Sequence, residues 1–312
     1  MAPLQQVLQK IDDVVQKSPT LIRGDLETLT KRPGKLLRPA FFLLCAEGGD
    51  AEPSDLIAVA AAIELLHIAS LAHDDVLDDA LKRRGNTTLY RKEGAKRAIL
   101  AGDYLLSQSL RLSSSHFSES LVPYMTESLE QLCLSEIDQD SSTGDFFINR
   151  DRYYKRISGK TAELFGLSCF TGALMGGRSP EVQNELYHMG LEFGMAFQIR
   201  DDIMDYTGDS RKMGKPAGND LKDGIPTLPL ILALEEEQPV LKFLLRQPFR
   251  SISTALIRSM ILRGKYTDKA FLISEEYTSK SLSLSERALS PEAFKQYSNL
   301  LFSLQKTAQK RP

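Results

Sequence analysis

The chain has 312 residues, of which 42% are hydrophobic, and its 39 basic and 41 acidic residues give a formal net charge of −2. This near-neutral balance excludes a protein-wide field for nucleic acid, and the apolar share excludes a disordered chain. A chain of this length buries a sizeable core. Any anion binding must therefore come from local clusters of basic side chains.

Cysteine usage and the N-terminal residues indicate the compartment. Cys45, Cys133 and Cys169 are widely spaced in apolar surroundings, which predicts reduced core thiols in a cytoplasmic protein rather than a disulfide framework or a zinc site. Residues 1–6 lack the pattern of a signal peptide, and no stretch approaches the ~20 apolar residues that span a bilayer. We expect no transmembrane segment, although an apolar substrate or product would bring the protein transiently to a membrane surface.

Hydrophobic periodicity predicts helices along the whole chain. They cover residues 4–17, 20–31, 94–112, 119–139 and 153–175, the stretches that lead into two acidic runs, and 227–308. Long alternating patterns typical of strands are absent, so the sequence indicates an all-α protein. No repeat or linker interrupts it, and one domain over 1–312 is the simplest organisation.

The first acidic run, Asp74-Asp75-Val76-Leu77-Asp78, follows an apolar stretch without glycine or proline that predicts a buried helix. On a helix Asp74 and Asp78 lie one turn apart on one face, with Asp75 beside them. Their carboxylates repel each other unless a cation lies between them, and Mg²⁺ takes one or two carboxylates together with substrate phosphates. A solvated acidic helix end is the alternative interpretation of a single run.

A second run, Asp201-Asp202-Ile203-Met204-Asp205, also ends an apolar helical stretch. Two matched runs arise by chance much less often than one. If the two helices face each other, six carboxylates surround one cavity and bind several Mg²⁺ ions and, through them, a diphosphate. The paired runs therefore favour a metal-dependent diphosphate site.

Basic residues accompany the acidic runs. Lys35 and Arg38 are three apart, so on a helical turn they project together toward an anion, although a solvated basic turn is the alternative. Residues 82–84, Lys-Arg-Arg, follow the first run directly; this order suits anions that hold metal and cations that hold phosphate, with a mixed-charge surface as the alternative. The long Gly-, Pro- and charge-rich stretch 208–229 follows the second run, and its position favours a lid.

These motifs together resemble the trans-isoprenyl (polyprenyl) diphosphate synthases of medium- or long-chain type. The motifs that carry the resemblance are Gly34-Lys35-x-x-Arg38-Pro39, Glu64 to His67, the two acidic runs, Arg83-Arg84-Gly85, Gly102-Asp103, Glu136-x-x-Gln139, Lys160-Thr161, Phe197-Gln198, Gly214-Lys215 and Thr227-Leu228-Pro229. The resemblance implies an isoprenoid-synthase-type bundle, one domain of long helices around a central cavity. It also implies a Mg²⁺-dependent condensation of isopentenyl diphosphate with an allylic prenyl diphosphate, and a homodimer.

The resemblance also assigns roles by position. It gives the Mg²⁺ ions to Asp74, Asp75, Asp78, Asp201, Asp202 and Asp205. It gives the allylic diphosphate to Arg83, Lys160 and Lys215, and the isopentenyl diphosphate to Lys35, Arg38, His67 and Arg84. Thr161 and Gln198 are implied to stabilise the allylic cation. One position departs from the family, which often has lysine where this chain has Ile225; Lys222 is a candidate replacement.

Product length is inferred from the helix that precedes Asp74. In short-chain family members bulky aromatics four and five residues before the first aspartate close the product tunnel, whereas here those positions are Ser70 and Ala69. An open tunnel with its floor at Leu66 or Ile63, one and two turns further on, predicts a product longer than C15, between C25 and C40.

Two alternatives stay open beside a self-sufficient synthase. A terpene cyclase of the same fold ionises a prenyl diphosphate without isopentenyl diphosphate, and the basic set around Lys35, Arg38 and His67 argues against it. A hetero-oligomeric synthase would use this chain as its catalytic subunit, because non-catalytic partners typically lose their aspartates and this chain keeps all six.

Overall fold

A computed structural model describes residues 2–31, 34–83, 85–116, 122–208, 218–236, 238–246 and 253–309. Within these ranges the fold is helical except for one hairpin, in which β1 (Lys82–Arg83) pairs antiparallel with β2 (Asn86–Thr87). The all-α prediction is confirmed, and the predicted helices 4–17, 20–31, 94–112 and 119–139 agree with the observed ones to within a few residues over the part described.

The helices follow in chain order. They are α1 (Pro3–Gln16), α2 (Thr20–Thr30), α3 (Leu37–Ala46), α4 (Pro53–Leu77), α5 (Leu89–Glu93), α6 (Ala95–His116), α7 (Val122–Ser141), α8 (Arg150–Ile157), α9 (Glu163–Met175), α10 (Pro180–Thr207), α11 (Asn219–Lys222), α12 (Leu228–Glu235), α13 (Pro239–Leu245), α14 (Thr254–Arg263), α15 (Tyr266–Ala288) and α16 (Pro291–Gln309). Proline at the first helical position recurs, as at α4 and α10, because it lacks only an N–H that would be unpaired there.

The chain divides into two compact units. The first comprises residues 1–126 and 167–187, and in it α4 packs against α1, α2, α3, α5 and α6. Residues Ala58–Leu66 of α4 are buried without interruption, so this part of the helix is enclosed by protein on every side, and Glu64 is its one charged residue. Contrary to the sequence-based expectation, α4 is long and apolar enough to span a membrane, but 67% of its most apolar window is buried within the protein.

The second unit comprises residues 127–166 and 188–312. Its core is built around α12, in which every residue from Leu228 to Leu234 is buried, together with Tyr153, Tyr206 and Ile257 from other elements. Arg200 of α10 ties this helix to α15 by an ion pair with Glu275 and a 2.9 Å hydrogen bond to the Thr278 hydroxyl. The single domain over 1–312 stays a prediction.

Two local expectations are corrected. Cys133 is exposed on α7, whereas Cys45 and Cys169 are buried as predicted, because Cys133 shares the outward side of α7 with Leu134 and Ile137. The stretch 153–175 is not one regular helix, since a π-helical turn, Ser158–Ala162, separates α8 from α9.

Candidate active site

The first acidic run lies at the C-terminal end of α4. Asp74 and Asp75 belong to its last turn, and the backbone N–H of Asp78 donates to the Asp74 carbonyl at 2.9 Å. This bond keeps Asp78 one turn beyond Asp74, as the spacing predicted. Asp74 is half-buried and Asp78 is exposed, whereas the middle carboxylate, Asp75, is only 5% exposed.

Asp75 is held by the hairpin that follows α4. Arg83 of β1 donates from its Nε to Asp75 Oδ1 at 2.6 Å. Gly85 adopts a φ of 79° between the two short strands, a conformation that glycine takes without strain, and so permits the tight turn. The hairpin thus returns a guanidinium to a buried carboxylate, which is the arrangement in which a buried charge is tolerated.

A second set of polar groups lies between α3 and α4. Arg38 Nη1 and His67 Nε2 are 3.2 Å apart, and both side chains are half-buried. Lys35 is exposed and precedes α3, because Leu36 takes a left-handed φ of 51° just before the helix begins at Leu37. The premise that Lys35 and Arg38 share a helical turn is therefore wrong, although both remain near the start of α3.

The Gly102-Asp103 motif has a local explanation in this unit. An ideal Cβ on Gly102 would lie 2.4 Å from the His73 imidazole, so only glycine leaves room for this ring. Asp103 Oδ1 lies 3.2 Å from His73 Nε2 and orients it. The partner of this motif, His73, lies on α4 directly before Asp74 and was not predicted from the sequence.

The second acidic run ends α10. Its middle carboxylate, Asp202, is 5% exposed and accepts two hydrogen bonds of 2.7 Å, from the Tyr153 hydroxyl and from the Gln198 amide. Asp201 is exposed and Asp205 is half-buried. Tyr153 was not among the predicted site residues, because it precedes Asp202 by 49 positions and nothing in the local sequence links them.

Gln198 connects Asp202 to Thr161. The Thr161 hydroxyl donates to Gln198 Oε1 at 2.6 Å, while Gln198 Nε2 donates to Asp202. A flipped amide would set its carbonyl against the carboxylate, so this orientation is the favourable one. Two of the predicted site residues, Thr161 and Gln198, are therefore brought together with their oxygen atoms adjacent.

Lys160 and Thr161 lie within the π-helical turn. Such single turns occur frequently at functional sites because they change the direction of neighbouring side chains. Here the turn packs tightly on α7, since an ideal Cβ on Gly159 would lie 1.9 Å from the Ser135 hydroxyl oxygen. Lys160 Nζ lies 2.8 Å from Glu136 Oε1, which gives Glu136 of the Glu136-x-x-Gln139 motif a structural partner.

Burial and mutual repulsion dominate the electrostatics around Asp202. Burial raises the pKa of Asp202 to about 7, although the hydrogen bonds from Tyr153 and Gln198 favour the charged form. Asp205 accepts the backbone N–H groups of Asn219 and Asp220 at 3.1 and 3.2 Å, yet burial, together with the nearby Asp201, still raises its pKa. Burial also raises the pKa of Asp220, and repulsion from the negative charge of Asp205 raises it further. Sequence reasoning missed this additional carboxylate.

The donor set fits Mg²⁺. Groups whose charged form is disfavoured by burial and by neighbouring carboxylates gain when a divalent cation binds among them. Among the described residues no group of three or more His, Cys, Asp or Glu side chains forms a ready cage for a metal ion. Magnesium does not need such a cage, because it commonly uses one or two carboxylates together with phosphate oxygens and water.

The residues predicted to line the product tunnel lie on α4 in the first unit. Ile63, Leu66 and Ala69 are 1%, 3% and 2% exposed. Ser70 is also buried, and its hydroxyl donates to the His67 carbonyl at 2.9 Å.

Several predicted positions lie outside the described residues. These are Arg84, Gly214-Lys215 and the part of the predicted lid from 209 to 217. Of the segment that follows, Lys222 is exposed at the end of α11, and the backbone N–H of Ile225 donates to the Asp220 carbonyl at 2.7 Å.

Comparison with known proteins gives consistent relatives. The sequence profile of the polyprenyl synthetase family matches residues 19–257. Heptaprenyl diphosphate synthase component 2 of Geobacillus stearothermophilus is 37% identical over 257 residues, 82% of this chain and 80% of that protein. The crystal structure of heptaprenyl diphosphate synthase from Staphylococcus aureus has a TM-score of 0.91 and 31% identity, covering 99% of this chain and 97% of its own. A polyprenyl synthase from Caulobacter crescentus, crystallised with calcium and isoprenyl diphosphate, has a TM-score of 0.87 and 27% identity, covering 94% and 90%.

Proposed function

We propose a substrate pair and a product on one premise: this chain belongs to the polyprenyl synthetase family and is a prenyltransferase. The reaction is the head-to-tail condensation of isopentenyl diphosphate with an allylic prenyl diphosphate, dependent on Mg²⁺, to give a product longer than C15. The observation that carries the proposal is shared by both acidic runs. Each ends a long helix, and in each the middle carboxylate is buried and held by protein donors.

The six aspartates supply the proposed magnesium sites. They are Asp74, Asp75, Asp78, Asp201, Asp202 and Asp205. Bound Mg²⁺ would neutralise the charge that develops on the departing diphosphate, which is the main barrier to ionising an allylic C–O bond. The Caulobacter crescentus relative was crystallised with a divalent cation and isoprenyl diphosphate, which supports this ligand chemistry.

In the proposed first step the allylic C–O bond breaks, and its electron pair leaves with the diphosphate. Arg83, Lys160 and Lys215 bind that diphosphate and stabilise its charge. Thr161 Oγ1 and Gln198 Oε1 lie 2.6 Å apart and present oxygen lone pairs to the cation. The segment 206–225 excludes water, which would otherwise convert the cation to an alcohol.

In the second step the double bond of isopentenyl diphosphate attacks the allylic carbon, and the new cation loses a proton to the released diphosphate. Lys35, Arg38, His67 and Arg84 hold the diphosphate of this second substrate. The 3.2 Å contact between Arg38 and His67 supports a shared anion site. A terpene cyclase does not need such a site, so it is the less favoured alternative.

The proposed product length is C25–C40. Small side chains at Ala69 and Ser70 leave the tunnel open, and Leu66 or Ile63 forms its floor. Two of the relatives are named heptaprenyl diphosphate synthases, and a heptaprenyl chain is within this range. Ala69→Phe should shorten the product, and an unchanged distribution of chain lengths would refute the tunnel assignment.

We propose a cytoplasmic homodimer, with the catalytic subunit of a hetero-oligomer as the alternative. The exposed Leu134 and Ile137 of α7 support a protein partner of either kind, because they leave apolar surface in contact with water. The alternative is motivated by one relative, which is named a component 2. Light scattering on the purified chain separates a dimer from a monomer that lacks its partner.

The first test is a product assay on the purified chain alone. The assay contains Mg²⁺, labelled isopentenyl diphosphate and, in separate tubes, dimethylallyl, geranyl, farnesyl or geranylgeranyl diphosphate, followed by chain-length analysis. Elongated products of C25–C40 are expected. A C10 or C15 end point would refute the open tunnel, and a cyclic hydrocarbon from farnesyl diphosphate alone would identify a cyclase. Absence of incorporation with every starter would favour the hetero-oligomer.

A further inference from the structure

Arg156, in the last turn of α8, is a buried cation that the proposed mechanism does not use. It is only 4% exposed, and its Nη2 donates to the Pro226 carbonyl at 2.5 Å. Its guanidinium carbon lies 5.9 Å from the centre of the Tyr153 ring. Within the described part of the chain, no carboxylate lies within 4 Å of its guanidinium nitrogens to form an ion pair.

A guanidinium buried without a contacting carboxylate is costly unless more distant charges compensate it. Burial lowers the pKa of Arg156, and the carboxylates that favour its charged form are Asp202 first, then Asp138 and Asp220. Two of these three, Asp202 and Asp220, belong to the second acidic cluster. Tyr153 lies between the two sets: its ring contacts the guanidinium, and its hydroxyl donates to Asp202. The buried guanidinium of Arg156 thus places one positive charge next to the cluster, on the other side of Tyr153 from Asp202.

We infer that Arg156 is a positioning residue that acts as the fixed counter-charge of the Asp201–Asp205 and Asp220 cluster and anchors the segment 224–227 beside it. This inference rests on the proposed function, because it assumes that the cluster receives Mg²⁺. The single positive charge holds the carboxylates together before the metal arrives. It also leaves net negative charge, so the cluster still attracts the cation. The segment 224–227 contains Ile225, the position at which the resemblance expected a lysine.

The charge is tested by comparing how strongly the magnesium complex of inorganic diphosphate stabilises three variants. The melting temperature of the full-length protein is measured at pH 8.5, with EDTA alone and with excess MgCl₂ and inorganic diphosphate at matched ionic strength. Arg156→Gln removes the charge but keeps an N–H donor for the Pro226 carbonyl. Arg156→Lys keeps the charge, and Arg150→Gln is the control, because Arg150 lies on the same helix in an exposed pair with Glu235.

The ligand-induced rise should be about 2–4 °C larger in Arg156→Gln than in wild type, because a cluster without its counter-charge gains more from the bound cations. Arg156→Lys and Arg150→Gln should match wild type. Equal rises in wild type and Arg156→Gln would overturn the inference and leave the proposed function standing. A wild-type protein without any rise would overturn the magnesium site itself. If Arg156→Gln does not fold, the Lys variant decides, since a changed rise with the charge retained contradicts the inference.

Discussion

The two acidic runs share one sequence pattern but differ in how their buried middle carboxylate is satisfied. Asp75 and Asp202 are each 5% exposed. Asp75 is paired with the guanidinium of Arg83, whereas Asp202 accepts hydrogen bonds from two neutral groups, the Tyr153 hydroxyl and the Gln198 amide. A cation cancels the charge of a carboxylate, while neutral donors only spread it. Asp202 therefore lacks a directly paired cation, and the charge of Arg156 reaches it only across the Tyr153 side chain.

This difference indicates different tasks for the two runs. Arg83 is also a proposed ligand of the allylic diphosphate, so at the first run substrate and carboxylate share one guanidinium. At the second run the carboxylate is connected to Thr161 and Gln198, the proposed stabilisers of the cation. In the proposed reaction the first run would thus be connected, through Arg83, to the departing diphosphate. The second run would be connected, through Gln198 and Thr161, to the reacting carbon.

The largest effect is expected where the two runs are alike, at their first aspartates. Asp74→Ala and Asp201→Ala should each lower the rate of isopentenyl diphosphate incorporation by about 100- to 1,000-fold, because each removes stabilisation of the departing diphosphate. Asp12→Ala, an exposed position on α1, serves as the control. A loss confined to one of the two variants would restrict the metal site to a single run.

A strong effect on the second run alone is expected from Gly159→Ala. The added methyl group would collide with the Ser135 hydroxyl at 1.9 Å, so the π-helical turn that carries Lys160 and Thr161 must shift. We expect a stability loss of about 1–3 kcal/mol in urea unfolding, and a lower turnover with little change in the affinity for isopentenyl diphosphate. Gly24→Ala on α2, where nothing lies within 4 Å of the new Cβ, is the matched control.

The contrast between Asp75 and Asp202 predicts that the same substitution, Asp to Asn, lowers the free energy of unfolding by different amounts at the two positions. Asp75→Asn leaves the Arg83 guanidinium without its carboxylate and should cost about 1–2 kcal/mol in metal-free urea unfolding at pH 8, since Arg83 is partly exposed. Asp202→Asn should cost less than 1 kcal/mol, because burial already disfavours the charged form and the Tyr153 hydroxyl can accept as well as donate. Equal costs would mean that the two middle carboxylates are satisfied alike.

Local sequence predicts the parts of this site that depend on spacing. The helical period identified α4 and α10 and therefore the faces of Asp74 and Asp78. The resemblance grouped Thr161 with Gln198, and the structure joins these two side chains by a 2.6 Å hydrogen bond. Contacts between distant residues were not predictable, because the pairing of Tyr153 with Asp202 depends on how α8 packs on α10. The left-handed conformation of Leu36 and the π-helical turn were also not predicted, since such short local changes of the backbone leave no periodic signal in the sequence.

The smallest effect concerns pH and isolates Asp202. Burial raises its folded-state pKa to about 7, above its value of about 4 in an unfolded chain, so between these values the folded protein binds more protons than the unfolded one. In EDTA the stability of wild type should therefore fall as the pH rises from 5 to 8. Asp202→Asn should reduce this fall by on the order of 1 kcal/mol, or about 2–4 °C in melting temperature, and the raised pKa values of Asp205 and Asp220 should preserve the rest.

Asp78→Asn, at the exposed end of the first run, is the control. A wild-type stability that rises over this range would mean that the hydrogen bonds from Tyr153 and Gln198 outweigh burial, and that the second run is satisfied as fully as the first.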